Sequence, residues 1–220
     1  MNPQLLGIHH VTAIVGEPQE NIDFYTRVLG LRLVKQTVNF DDPYTYHLYY
    51  GDETGQPGTI ITFFPWPASR HGSRGTGQIS AIQFAVPVGA LPFWQGRLAD
   101  FGWRYGESEP RNDAAVLQFY DPAGLLLELV ETPGEAHRSA NGDIPAAAAI
   151  QRLAGVTLTV AQAAPSAAFL AGLLHFRADA GANSLALGNG ASAARVTLVE
   201  RPNVPRGSIA AGSVHHVAWR

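Results

Sequence analysis

The 220-residue chain contains no cysteine. That absence removes disulfides, thiolate metal sites and cysteine nucleophiles together, so any metal has to be held through nitrogen and oxygen. Charge is sparse too. Only 15% of residues are Asp, Glu, Lys or Arg, and the formal net charge is −3, which excludes the basic footprint of a nucleic-acid partner. The one local basic cluster, Arg70, His71 and Arg74, is interleaved with glycine and reads as a loop. The glycine-rich stretch 72–77 does not lie between a strand and a helix start, so it offers no phosphate cradle. No basic segment followed by an apolar run opens the chain, and no run is long and apolar enough to span a bilayer. The expectation is a cytoplasmic protein with no membrane partner. No Ser-His-acid set can be inferred from spacing. What the chain does have is core material, with 46% hydrophobic residues.

That material is arranged as a repeat, which decides architecture before any single element does. GIHHVTAIV (7–15) reads as a strand, and 17–30 as an amphipathic helix with Pro18 at its start, Ile22, Tyr25 and Leu29 on one stripe, and Gly30 as its stop. Strands follow at 31–40, 45–50 and 59–64. SAIQFAV (80–86) then aligns without gaps on HHVTAIV (9–15), a helix follows near 89–100, and GLLLELVETP (124–133) aligns on GTIITFFPWP (58–67). A third start is AGVTLTV (154–160), with a helix near 165–174 and a closing strand VTLVERP (196–202). VHHVAWR (214–220) is a fourth start. The expected organisation is α+β, in βαβββ units at 1–67, 78–133 and 151–202, with 213–220 as the first strand of a fourth. One unit cannot bury both faces of its sheet alone, so units are expected to pair around a cavity.

The chemistry stands out against the repeat. The position of His10 is occupied by Ala81, Gly155 and His216 in the later units, and that of His9 by Ser80, Ala154 and His215. Folding of a unit therefore does not need the histidines. Strand alternation puts His10, Thr12 and Ile14 on one face and His9, Val11, Ala13 and Val15 on the other. The more polar face is the better cavity wall, which makes His10 and His216 the metal ligands and leaves His9 and His215 to orient a ligand or move a proton. On the closing strands Thr62, Glu128 and Thr197 align. Glu128, inside an apolar run, is either an inward ligand or an edge residue. His47, His71, His137 and His175 lack aligned partners and read as structural or surface residues.

GIHHVTAIV (7–15), FYTRVLGLRLVKQTVNFDD (24–42), YHLYYGDETGQPGT (46–59), DPAGLLLELVE (121–131) and VHHVA (214–218) together resemble the vicinal oxygen chelate superfamily. That superfamily includes glyoxalase I, bleomycin-resistance proteins and extradiol dioxygenases, and the closest resemblance is to its ring-cleaving, hydroquinone-dioxygenase-like branch. The resemblance implies paired βαβββ units forming cupped half-barrels, and a divalent metal held by two His and one Glu. The metal ligands would be His10 and His216, with His9, His215 and Thr12 as catalytic neighbours. It implies Fe(II), with Mn, Zn or Ni as alternatives, and as partners a small aromatic substrate and O₂, with a homodimer left open. Tyr46, Tyr49 and Tyr50 would wall the substrate. The Glu would belong to the closing strand of the fourth unit, so the third ligand is expected past Arg220, on a further ~50–65 residues; otherwise the chain lacks the chemistry. The activity implied is a non-haem iron, extradiol-type ring-cleaving dioxygenase. The alternatives are a glyoxalase-like lyase or isomerase and a non-enzymatic ligand-binding protein.

Overall fold

A computed structural model describes residues 5–107, 114–134, 143–179, 183–190 and 193–220. The chain begins with β1 (Ile8–Val15), α1 (Pro18–Asp23), β2 (Arg32–Val38), β3 (Tyr46–Gly51) and β4 (Ile60–Pro65). The same order returns as β5 (Gln78–Val86), α2 (Leu91–Asp100), β6 (Tyr105–Glu107), β7 (Val116–Tyr120) and β8 (Leu126–Glu131). It returns again as β9 (Arg152–Val160), α3 (Ala163–Gly172), β10 (Arg177–Ala178), β11 (Ser184–Leu187) and β12 (Ala194–Glu200), and β13 (Ser213–Trp219) ends the chain. The class is α+β, with two sheets in the orders β13-β1-β4-β3-β2 and β10-β11-β12-β9-β5-β8-β7-β6. No helix among the described residues is long and apolar enough to cross a membrane.

Each sheet gives one face to the helices. Val11, Ala13, Val15, Leu48, Tyr50, Ile61 and Phe63 of the first sheet join Phe24, Tyr25 and Leu29 in the core, as do Ile82, Phe84, Leu127 and Leu129 of the second with Trp94 and Leu98. The alternation of strand side chains leaves His10, Thr12, Ile14, Thr62 and Phe64 on the opposite, open face of the first sheet. The segment expected as one helix over 17–30 is in fact α1 followed by a π-helical turn, Phe24–Val28, in which the Leu29 N–H donates to the Phe24 carbonyl at 3.1 Å. The wider turn buries both Phe24 and Tyr25. The Tyr25 hydroxyl then donates to Asp121 Oδ2 at 3.1 Å, and the Leu125 N–H donates to Oδ1 at 2.8 Å. These bonds tie the first helix to the turn before β8. Burial raises the Asp121 carboxyl to about 7 against the pull of the donors.

The two sheets share an irregularity at matching places. β1 and β13 run antiparallel, and the register slips between Ile8 and His10 and again between Thr12 and Ala13, where His216 and Val214 are the partners. His9 and His215 are thus the extra residues of two β-bulges. β5 and β9 slip in the same way between Ile79 and Ala81 and between Gln83 and Phe84, leaving Ser80 and Ala154 extra. The bulge belongs to the repeat; only the residues carried on it differ. Gly155, which stands where the other sheet has His216, has no room for a side chain: a Cβ there would overlap the Arg195 carbonyl oxygen and come within 2.8 Å of Gln83 Oε1. Gly155→Ala is therefore expected to cost about 2–3 kcal/mol through forced backbone movement, read as a lowered urea midpoint with an unchanged slope.

Candidate functional site

The open face of the first sheet carries a polar row in register across four strands. His216 of β13 lies opposite Thr12 of β1, Thr12 opposite Thr62 of β4, and Thr62 opposite Tyr49 of β3. Thr12 Oγ1 is 2.8 Å from Thr62 Oγ1 and 3.2 Å from His216 Nε2. His10 Nε2 also lies 3.2 Å from His216 Nε2. Two lone pairs cannot face each other at that distance without a proton or a cation between them. A metal with bonds of about 2.1 Å and angles of ~90–109° needs ligand nitrogens about 3.0–3.4 Å apart. The two imidazoles therefore fit two positions of such an ion. Among the described residues, no three His, Cys, Asp or Glu side chains are grouped to hold a metal.

The bulges change the expected role of alternation. His9 does not simply face away from His10: the two Nδ1 atoms are 2.9 Å apart, and His215 and His216 repeat the contact at 2.8 Å. One proton fits in each such contact. If it sits on the inner ring, His10 Nδ1–H donates to His9 and the Nε2 lone pair of His10 is left facing inward, as a ligand requires; the same holds for His216 with His215. Burial first, then His216 and His9, lowers the His10 pKa to about 4, and burial followed by His215 lowers that of His216. Uncharged rings are what a metal needs.

His47, which reads from sequence as structural or surface, joins this site. Its Nε2 is 2.9 Å from Thr62 Oγ1, and its Nδ1 is 2.9 Å from the Tyr49 hydroxyl. Its pKa is about 4, lowered by burial and then by His10, His216 and Lys35. Phe64 completes the wall, its ring 4.4 Å from that of His47 and 5.6 Å from that of His215. Of the three tyrosines expected to wall a substrate, only Tyr49 lies on this face. Tyr50 points into the core, bonded to Asn21, and Tyr46 shares its side of the strand. The sequence signal for His47 was available in the alternation His47, Tyr49 along β3, but only the β3–β4 register reveals its partner.

Glu128 is fully buried and inward, yet in the other sheet. Gln83 Nε2 donates to its Oε2 at 3.0 Å and Gln118 Nε2 to its Oε1 at 2.8 Å. The row Gly155, Gln83, Glu128, Gln118 has the register of the row His216, Thr12, Thr62, Tyr49. His71 bridges to Ala211, and His175 takes φ 58° beyond α3; His137 lies outside the described residues.

A family model described as the glyoxalase/bleomycin resistance protein/dioxygenase superfamily matches residues 7–129. The chain is 46% identical over 222 residues to "Putative ring-cleaving dioxygenase MhqO" of Bacillus subtilis (strain 168), covering 100% of this chain and 71% of that one. It is 32% identical over 225 residues to "Chlorohydroquinone/hydroquinone 1,2-dioxygenase" of Sphingobium indicum, covering 97% and 70%. A crystal structure of a "putative dioxygenase" from Bacillus subtilis subsp. subtilis str. 168 superposes with a TM-score of 0.88 at 45% identity, covering 98% of this chain and 70% of the other.

The lowered pKa values of His10 and His47 give stability that is present above pH 6.5 and lost as pH falls toward 4, because the unfolded rings take up protons first. Asp121 works in the opposite sense: its stabilising protonated form is lost as pH rises toward 7. Substituting both rings, His10→Gln with His47→Gln, is expected to remove that acid-side loss, so that stability at pH 4 relative to pH 6.5 is higher in the variant than in the parent. Solvent screening holds the difference to about 1 kcal/mol per ring, read from urea midpoints at the two pH values.

Proposed function

The chain belongs to the glyoxalase/bleomycin resistance protein/dioxygenase superfamily, and from there we propose that it is a metal-dependent dioxygenase that opens the ring of a hydroquinone- or catechol-like aromatic with O₂. The observation that carries this reading is the His10–His216 pair, with Nε2 atoms 3.2 Å apart on a wall of Phe64 and Tyr49. The ring-cleaving and hydroquinone activities named for the relatives support the same chemistry. Fe(II) is the preferred metal, because two imidazoles and one carboxylate leave positions for both substrate and O₂; Mn, Zn and Ni are the alternatives. The units 1–67, 78–133, 151–202 and 213–220 are part of this proposal; the described residues group no carboxylate with the two histidines. Cleavage of the extradiol type is proposed with it.

When bound, a metal would supply Lewis-acid and redox chemistry toward the substrate hydroxyl and O₂. His10 and His216 would hold it through Nε2. His9 and His215 accept the Nδ1 protons of those rings, fix their orientation, and serve as acid or base for proton transfers at the substrate. The Thr12 hydroxyl, fully buried and 3.2 Å from His216 Nε2, is placed to bond a substrate oxygen delivered beside that histidine. Phe64 and Tyr49 offer an aromatic substrate flat apolar surface and keep water off the reacting edge.

A second reading is a metal-free pocket that binds an aromatic ligand against Phe64, Tyr49 and His47. A glyoxalase-like lyase on Zn or Ni would use the same histidines without O₂. Anaerobic Fe(II) or Mn(II) titration separates these readings. The parent, with acetate present to stand for the carboxylate, is expected to bind metal at least tenfold more tightly than His10→Ala or His216→Ala, and to consume O₂ with hydroquinone or catechol. An iron-loaded protein with acetate at the metal that consumes no O₂ with any such substrate sinks the dioxygenase reading; equal metal affinity of parent and variants removes the histidines as ligands and leaves the metal-free one.

A further inference from the structure

The geometry points to a proton relay through Thr12, Thr62, His47 and Tyr49, which carries the proton of a bound substrate hydroxyl away from the His10–His216 pair to solvent, with His47 as its acceptor. This inference rests on the dioxygenase reading. Thr12 and Thr62 are fully buried, so their hydroxyls exchange protons through side-chain partners and not with water. The contacts are continuous: 2.8 Å from Thr12 to Thr62, 2.9 Å from Thr62 to His47 Nε2 and 2.9 Å from His47 Nδ1 to the Tyr49 hydroxyl. They cross three adjacent strands, β1, β4 and β3, and so are held by backbone pairing as well as by one another.

The donor and acceptor inventory leaves such a chain two orientations. In the outward one, Thr12 donates to Thr62, Thr62 donates to His47 Nε2, and His47 Nδ1–H donates to Tyr49, which donates to water. The step balances. The substrate O–H bond breaks as Thr12 Oγ1 gains that proton, each member passes its own proton onward, and Tyr49 releases one to water, leaving a substrate oxyanion and a hydronium ion with no electron transferred. His47 has to be neutral at the start for its Nε2 to accept. The groups facing it, His10, His216 and the Lys35 ammonium, all oppose its holding a charge. The ammonium of Lys35 also sits 5.4 Å from the Tyr49 ring centre, at the exit. Rotation of the two threonine hydroxyls and return of the Nδ1–H tautomer reset the relay.

Thr62→Val removes the middle hydroxyl at nearly constant shape, and Thr62→Ser keeps it. Thr62→Val is expected to lower kcat for O₂ uptake ten- to a hundredfold with KM and bound metal within about threefold of the parent, while Thr62→Ser stays near the parent rate. Imidazole added to His47→Ala is expected to restore part of its lost kcat. Thr62→Val turning over at the parent rate, or losing metal together with activity, overturns the relay. A readout that needs neither metal nor turnover goes with it: long-range ¹H–¹⁵N spectra of the metal-free chain. They are expected to show His47 as one neutral Nδ1–H tautomer in the parent and as a mixture in Thr62→Val. A mixture in the parent overturns the relay whatever the activity, whereas a parent that consumes no O₂ but shows the single tautomer counts against the dioxygenase reading alone.

Discussion

The antiparallel pairing of the first strand with the last, broken by two bulges, is the constraint on which the site depends. It brings together side chains 206 positions apart, so that His10 and His216 meet tip to tip. A regular ladder would have turned His9 and His215 to the helix face. The extra residue at each bulge instead lets two consecutive rings touch through their Nδ1 atoms. With the shared proton on the inner ring, the outer ring accepts it and the inner Nε2 keeps its lone pair.

The second sheet shows that this irregularity does not depend on the histidines. It has the same bulges and the same four-strand row, but Gln83 and Gln118 close over Glu128, and the place of His216 is a glycine with no space for more. A buried carboxylate held by two amide donors is satisfied and needs no ligand. In the first sheet the row is made of hydroxyls and imidazoles, groups able to donate or accept, and it stays open to a partner. One backbone plan therefore supports a filled polar core in one sheet and a reactive face in the other.

Electrostatically, the reactive face is a group of neutral bases. His10, His47 and His216 all have pKa values depressed first by burial, which penalises the charged ring, and then by a neighbouring histidine. Asp121, under the first helix, shifts the opposite way: burial raises its carboxyl to about 7, and it serves the packing of Tyr25 and not the site.

The amino-acid sequence alone determined the repeat, the α+β class and the pairing of interest, because strand and helix periods and turn residues are local properties that survive a comparison of one segment with the next. It also singled out His10 and His216, since departures from a repeat are visible without coordinates. It placed His9 on the face opposite His10 and did not show their contact, because a bulge is set by how two distant strands fit and not by either strand's own pattern. It missed His47 and Phe64, whose roles come from the register between β3 and β4, and it left Glu128 undecided between two surroundings. Which sheet each strand joins, and which residue stands opposite which, are non-local matters decided by burial and hydrogen-bond pairing over the whole chain. Only the tertiary structure could settle them.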